Sequence, residues 1–198
     1  VEIQTNQGQW RLEDRYPPEG MTTLALDLGG SLMNVAGTTT ILPNGATGPV
    51  YETEPLEEDI WIAGLPRLHI DVTTATVGGQ IYALLEDCNE NGSCIHIGHA
   101  IMDLRYHEGG TDEQTWLPII ETINAKMEFM PLDAMIEEGH TIRVSLASTG
   151  EDYLPASTSS IVTIQEGESS TLQLDIIDKN SDERMYFIPP ICEHELCS

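Results

Sequence analysis

The residues of this chain best suited to chemistry lie between Asp87 and His99 and around His140. In Asp87-Cys88-Asn89-Glu90-Asn91-Gly92, side-chain oxygens recur at Asp87, Asn89 and Asn91, the spacing with which an EF-hand loop begins to wrap a hard cation. Position twelve of such a loop falls on Gly98 instead of a bidentate glutamate, so calcium is suggested only on an incomplete ligand set. The same residues also read as a hairpin turn, with Asn91-Gly92 supplying positive φ and Cys88 and Cys94 clamping the arms. Cys88, Cys94, His96 and His99 are the residue types of a zinc site. Neither cysteine pair has C-x-x-C spacing, however, and on a regular strand two histidines three apart point to opposite faces. His140, between Gly139 and an alternating strand, is expected to cap its turn by a ring hydrogen bond to nearby backbone. Arg105 and Arg143 are two of only eight basic residues, and both are expected in strands, paired with Asp103, Glu121 or Glu128.

No residue is assigned a catalytic role. A hydrolase nucleophile needs a sharp elbow of the G-x-S-x-G type, and neither Ser31 after Gly29-Gly30 nor Ser93 after Gly92 has the trailing glycine. The sequence contains no H-E-x-x-H, no Walker loop and no G-x-G-x-x-G. Apart from calcium, no cofactor is suggested. Trp10, Trp61 and Trp116 would make a sugar-stacking platform if they met, but they are far apart in sequence and are expected in the core or at a domain contact.

Charge narrows the partners. With 33 acidic and 8 basic residues the net charge is −25, a field that repels nucleic-acid phosphates and anionic headgroups. No run approaches the ~20 apolar residues of a membrane span, so neither nucleic acid nor membrane insertion is expected. The chain opens on Val1 without a basic-led signal peptide, as a cleaved or truncated piece would. Its cysteines form two close pairs, Cys88 with Cys94 and Cys192 with Cys197. That arrangement predicts two local disulfides and an extracellular or cell-surface location.

The elements that must position these residues have a period of two. Leu68, Ile70 and Val72 alternate with His69, Asp71 and Thr73, Ile142, Val144 and Leu146 with Thr141, Arg143 and Ser145, and Leu172, Leu174 and Ile176 with Thr171, Gln173 and Asp175. Ile119, Ile123, Ala125, Met127 and Phe129 are placed on one further strand face. Turn signals at Pro43-Asn44-Gly45, Gly78-Gly79, Asn91-Gly92, Gly109-Gly110 and Glu166-Gly167 separate about nine or ten strands, which predicts an all-β, two-sheet antiparallel sandwich. Residues 29–60 read as long connections or edge strands, and residues 179–198 as a C-terminal tail.

Taken in order, the motifs resemble a known family. Leu85, Asp87, Asn91-Gly92, Gly98 and Arg105-Tyr106 follow the strand-turn-strand of the C-terminal domain of X-Pro dipeptidyl-peptidases, which also closes cocaine esterases and α-amino acid ester hydrolases. Gly139, His140, Ile142 and Arg143, followed by Ser145 and Ser148, resemble its G-H-x-(I/L)-R strand. Trp10-Arg11 with Pro17-Pro18 resembles its entry, and Ser170–Asp178 its closing strand. The resemblance covers about residues 10–178 and implies one jelly-roll sandwich over residues 1–178, of the galactose-binding-domain type. It implies a non-catalytic domain that packs on and shapes an α/β-hydrolase domain outside this chain, or supports homo-oligomers. The family's Arg/Asn-rich loop after Leu154-Pro155 is replaced here by Ala156-Ser157-Thr158-Ser159-Ser160, and the cysteine pairs and tail are atypical. A stand-alone carbohydrate-binding module, with or without calcium, is the alternative from a different class.

Overall fold

The computed structural model describes residues 2–6, 10–43, 45, 48–108, 114–150, 153–155 and 160–177. The expected tail with its Cys192–Cys197 bond, the Gly109-Gly110 turn and residues 156–159 lie outside this set. A short hairpin of β1 (Glu2–Gln4) and β2 (Trp10–Leu12) precedes β3 (Met21–Leu28). The Gly-, Thr- and Pro-containing stretch forms three short strands, β4 (Met33–Asn34), β5 (Thr40–Ile41) and β6 (Val50–Glu52). Next come β7 (Ile60–Gly64), β8 (Arg67–Thr74), β9 (Gln80–Cys88) and β10 (Cys94–Asp103). After a 3-10 turn at Leu104–Tyr106 the chain adds β11 (Thr122–Glu128), β12 (Leu132–Ile136), β13 (Thr141–Ala147), β14 (Val162–Gln165) and β15 (Gly167–Ile177).

Two antiparallel sheets form the sandwich. One has five strands in the order β10-β9-β13-β6-β4; the other has eight, β12-β7-β15-β8-β14-β5 with β11 beside β8 and β3 beside β15. Alternating residues supply the inner faces, those of β8, β13 and β15 as named from the sequence and those of β9 in addition. Leu68, Ile70, Val72, Leu172 and Leu174 come from the larger sheet, and Ile81, Ala83, Leu85, Ile142, Val144 and Leu146 from the smaller, all in one buried cluster. Full burial of each such aliphatic side chain contributes about 1.5–3 kcal/mol, which pins strand register, because a one-residue slip would turn every one of them to solvent. No helix among the described residues is long and apolar enough to cross a membrane.

Two placements differ from the sequence reading. Arg105 lies on the 3-10 turn and not in a strand, because Asp103 accepts a hydrogen bond from its backbone N–H and ends β10 as an N-cap. Ile119 precedes β11 in a turn and is half exposed, while Ile123, Ala125 and Met127 form the inward face.

Candidate functional site

The β9–β10 hairpin carries most of the residues in question. Cys88 and Cys94 are opposed across the two strands and joined by a disulfide, with Cα atoms 4.0 Å apart. Within the turn, Asn89 Oδ1 accepts hydrogen bonds from the backbone N–H groups of Asn91 (3.0 Å) and Ser93 (3.1 Å), and Gly92 takes φ 75°. Asp87 points the other way, into the protein, where its Oδ1 lies 2.7 Å from Nδ1 of His140. Two of the three oxygens proposed for calcium are therefore engaged by different protein groups. Among the described residues no group of three or more His, Cys, Asp or Glu side chains converges as a metal cage.

His140 was expected to hold backbone; its partner is instead the buried Asp87 carboxylate on the neighbouring strand. The reason is register: β13 pairs with β9, placing Thr141 opposite Cys88 and Ile142 opposite Asp87. The tight turn at Gly139 (φ 83°) then brings the ring over β9. An Asp–His pair is two-thirds of a hydrolytic triad. Among the described residues, however, no hydroxyl or thiol hydrogen-bonds the other ring nitrogen, so the pair is a cross-strand brace.

The arginines brace as well. Arg105 holds the Asp103 carboxylate through Nε at 3.0 and 3.1 Å and through Nη2. Burial is the largest single influence on Asp103 and pushes its pKa up, but the hydrogen bonds and charge of Arg105 together outweigh it and hold the carboxyl below its ordinary value. Arg143 was expected to find Asp103, Glu121 or Glu128. It binds Glu52 on β6 through Nε (3.1 Å) and Nη2 (2.9 Å), and its Nη1 lies 3.0 Å from Cys94 Sγ. Glu52 also accepts from Thr141 Oγ1 at 2.6 Å, so one carboxylate ties β6 to β13. Sequence reasoning missed Glu52 because the link spans 91 positions.

The structure brings together one group the sequence reading had kept apart. The register of β10 against β9 shifts after His96: His96 is opposite Glu86 and Gly98 opposite Leu85, leaving Ile97 as the extra residue of a β-bulge. The bulge places His96 and His99 on the same face, with His96 Nε2 and His99 Nδ1 3.3 Å apart. His99 Nε2 is 2.8 Å from the Tyr153 hydroxyl, and Tyr82 stacks on the His99 ring at 5.9 Å between centroids. Gly150 lies directly against this cluster, since a Cβ there would come within 2.6 Å of the Tyr82 ring.

At one end of the sandwich the loops leave apolar side chains in solvent. Residues 74–80 tie them together: Ile120 N–H donates to Thr74 O, Leu117 N–H to Val77 O, Ala75 N–H to Ile161 O, and the Gln80 side-chain Nε2 to Leu154 O. Leu154 is 89% exposed, Ile120 80% and Trp116 64%, with Ile119 and Ile161 also open. Ile120 adopts φ 67°, the single positive φ on a non-glycine among the described residues. Trp61, by contrast, is buried with its Nε1 donating to Asp133 Oδ1 at 2.7 Å, so it is not part of any exposed stacking surface with Trp116.

Comparisons with known proteins agree with this architecture. Among solved structures, a CocE/NonD family hydrolase from Staphylococcus aureus superposes with a TM-score of 0.71 at 12% identity, over 89% of this chain and 40% of that one. An aminopeptidase from a marine sediment Thaumarchaeota archaeon gives 0.71 at 17% identity, over 88% and 40%. An α-amino acid ester hydrolase gives 0.59 at 14%, over 89% and 36%. At these identities the likeness is one of fold, and the chain spans about two-fifths of the length of these structures. No curated protein matches the sequence. The model of one family, the X-Pro dipeptidyl-peptidase C-terminal non-catalytic domain, matches residues 1–185. By that match over nearly its whole length, this chain belongs to the family of X-Pro dipeptidyl-peptidase C-terminal non-catalytic domains.

Proposed function

We propose that the chain works as the accessory sandwich of a larger serine hydrolase acting on X-Pro peptides or esters. In this reading it packs on the hydrolase domain through the apolar loop end and shapes the mouth of that domain's pocket. The observation that carries this is the exposed set Val77, Trp116, Ile119, Ile120, Leu154 and Ile161 gathered around residues 74–80, which includes the most exposed of the large apolar side chains, Leu154 and Ile120, while Met33, Val35, Leu42, Ile95 and Met130 are exposed elsewhere. A group of exposed apolar side chains, with an aromatic and a strained aliphatic among them, is what an interdomain contact uses. That the chain spans about two-fifths of its structural neighbours' length supports the same reading. We further assign the sandwich to the jelly-roll, galactose-binding-like type and the protein to an oxidising, extracellular setting, the latter on the strength of the Cys88–Cys94 bond.

The test has two arms. This chain alone, offered a proline p-nitroanilide and a simple aryl ester, is expected to show no turnover above its His140→Ala variant. In the parent protein, Trp116→Ser with Leu154→Ser is expected to lower hydrolase activity while the isolated chain keeps its melting temperature. Tight, chelator-sensitive binding on a glycan array would replace this reading with the carbohydrate module.

A further inference from the structure

We infer that His96 and His99 form a binding site for a tetrahedral transition-metal ion of the zinc class. The bulge at Ile97 turns both rings to one face, and the donor atoms, His96 Nε2 and His99 Nδ1, are 3.3 Å apart. Two imidazoles on one tetrahedral zinc, each with Zn–N of about 2.0–2.1 Å, hold their nitrogens about 3.3–3.4 Å apart. The pair is therefore already set at the bite of the ion. A square-planar ion would need the nitrogens near 2.8 Å, which makes zinc a better fit than cupric copper.

The second partner of His99 strengthens the assignment. Its Nε2 meets the Tyr153 hydroxyl at 2.8 Å, and a proton on Nε2 donated there leaves the lone pair of Nδ1 facing His96. A hydrogen bond that fixes tautomer and ring orientation is the usual support of a metal-bound histidine. Tyr82, stacked on the same ring, restricts it further. No third His, Cys, Asp or Glu among the described residues completes the set, so water fills the remaining positions and the site is open and exchangeable. The net charge of −25 raises the local concentration of divalent cations around it. An ion held here would fix the His99 ring and, through it, the hydrogen bond to Tyr153, the neighbour of Leu154.

The disulfide separates this site from the four-ligand zinc set that the sequence suggested, because oxidised Cys88 and Cys94 have no thiolate to offer. Zinc chloride titrated calorimetrically into the untagged, oxidised chain is expected to show saturable one-to-one binding. The ring nitrogens of His96 and His99 are expected to shift together in the NMR spectrum. His96→Ala and His99→Ala should each weaken binding at least about tenfold, Tyr153→Phe about tenfold, and His69→Ala on the other sheet should leave it unchanged. Thermal melts confirm that each variant is folded. Absence of saturable binding, binding unaffected by both histidine substitutions, or binding that appears only after the disulfide is reduced would each overturn the assignment.

Discussion

Replacing Ile120 should make the isolated domain more stable while weakening the larger protein. Its backbone sits at φ 67° and is held there by the hydrogen bond from its N–H to Thr74 O at 3.1 Å. A left-handed conformation costs an L-residue on the order of 1–2 kcal/mol, and a β-branched one is the least tolerant. Asparagine adopts this region readily, so Ile120→Asn recovers most of that strain. The loss is small: the side chain is 80% exposed, and forfeiting the remaining fifth of its burial costs roughly 0.3–0.6 kcal/mol. The net gain is about 0.5–1.5 kcal/mol, or roughly 1–6 °C in Tm for a domain of this size. Ile120→Gly should gain less, because glycine's greater freedom in the unfolded chain takes back about 0.5–1 kcal/mol. Calorimetric melts of the isolated chain order the three as Asn, then Gly, then wild type. In the parent hydrolase the same Asn variant should reduce activity or interdomain stability, the trade expected of a residue whose strain presents an apolar anchor. A fall in Tm of more than about 2 °C for Ile120→Asn in the isolated chain would refute the reasoning, by showing that the side chain is packed.

Removing the clamp of the β9–β10 hairpin by the Cys88→Ser, Cys94→Ser double substitution should cost about 2 kcal/mol, the loop-closure value for so short a ring, and lower Tm by about 4–8 °C. Gly150→Ala should destabilise by about 1–3 kcal/mol in denaturant unfolding through its collision with Tyr82, and the penalty should largely vanish in a Tyr82→Ala background. Asp103 has its folded pKa depressed, so its contribution is present above about pH 4, where the unfolded carboxyl is ionised, and is lost as pH falls through the folded value. Asp103→Asn should accordingly flatten the acid limb of a stability-versus-pH curve while lowering stability at neutral pH. Calcium added to the chelated chain should give no heat at the Asp87–Asn91 turn in calorimetry, because Asp87 and Asn89 already spend their Oδ1 atoms on His140 and on the turn's own N–H groups.

Local pattern was enough for much of the site. The Cys88–Cys94 bond was legible because Asn91-Gly92 dictates a turn whose two arms must bring residues at that spacing face to face. The Asp103–Arg105 pair was legible in partner, two residues apart, though not in the 3-10 turn that carries it. The convergence of His96 with His99 was hidden, since the period-2 rule that identifies strands also places residues three apart on opposite faces. Only the insertion of Ile97 against β9 reverses that, and Gly98, whose Cβ would press on Leu132 at 3.0 Å, is the one local hint. His140 was recognised as a turn residue but given the wrong partner, because its contact depends on which strand lies beside β13.

What the sequence by itself determined is what short range decides. Alternating apolar residues on β8, β13 and β15 fix an all-β sandwich and its inward faces, the turn dipeptides fix where strands end, and the lopsided charge sets a field that repels polyanions. What only the tertiary structure decided is how distant strands align. Register across a sheet is set by the sum of many buried contacts, and no local motif records it. That alignment gave Arg143 its Glu52, gave His140 its Asp87, and gathered Trp116, Ile120, Leu154 and Ile161 at a single end. The bulge turned two separated histidines into one pair by the same cause: the pairing of β10 with β9 puts Gly98 and Ala100 on the buried side opposite Leu85 and Ala83, and Ile97 is the extra residue taken up just before them.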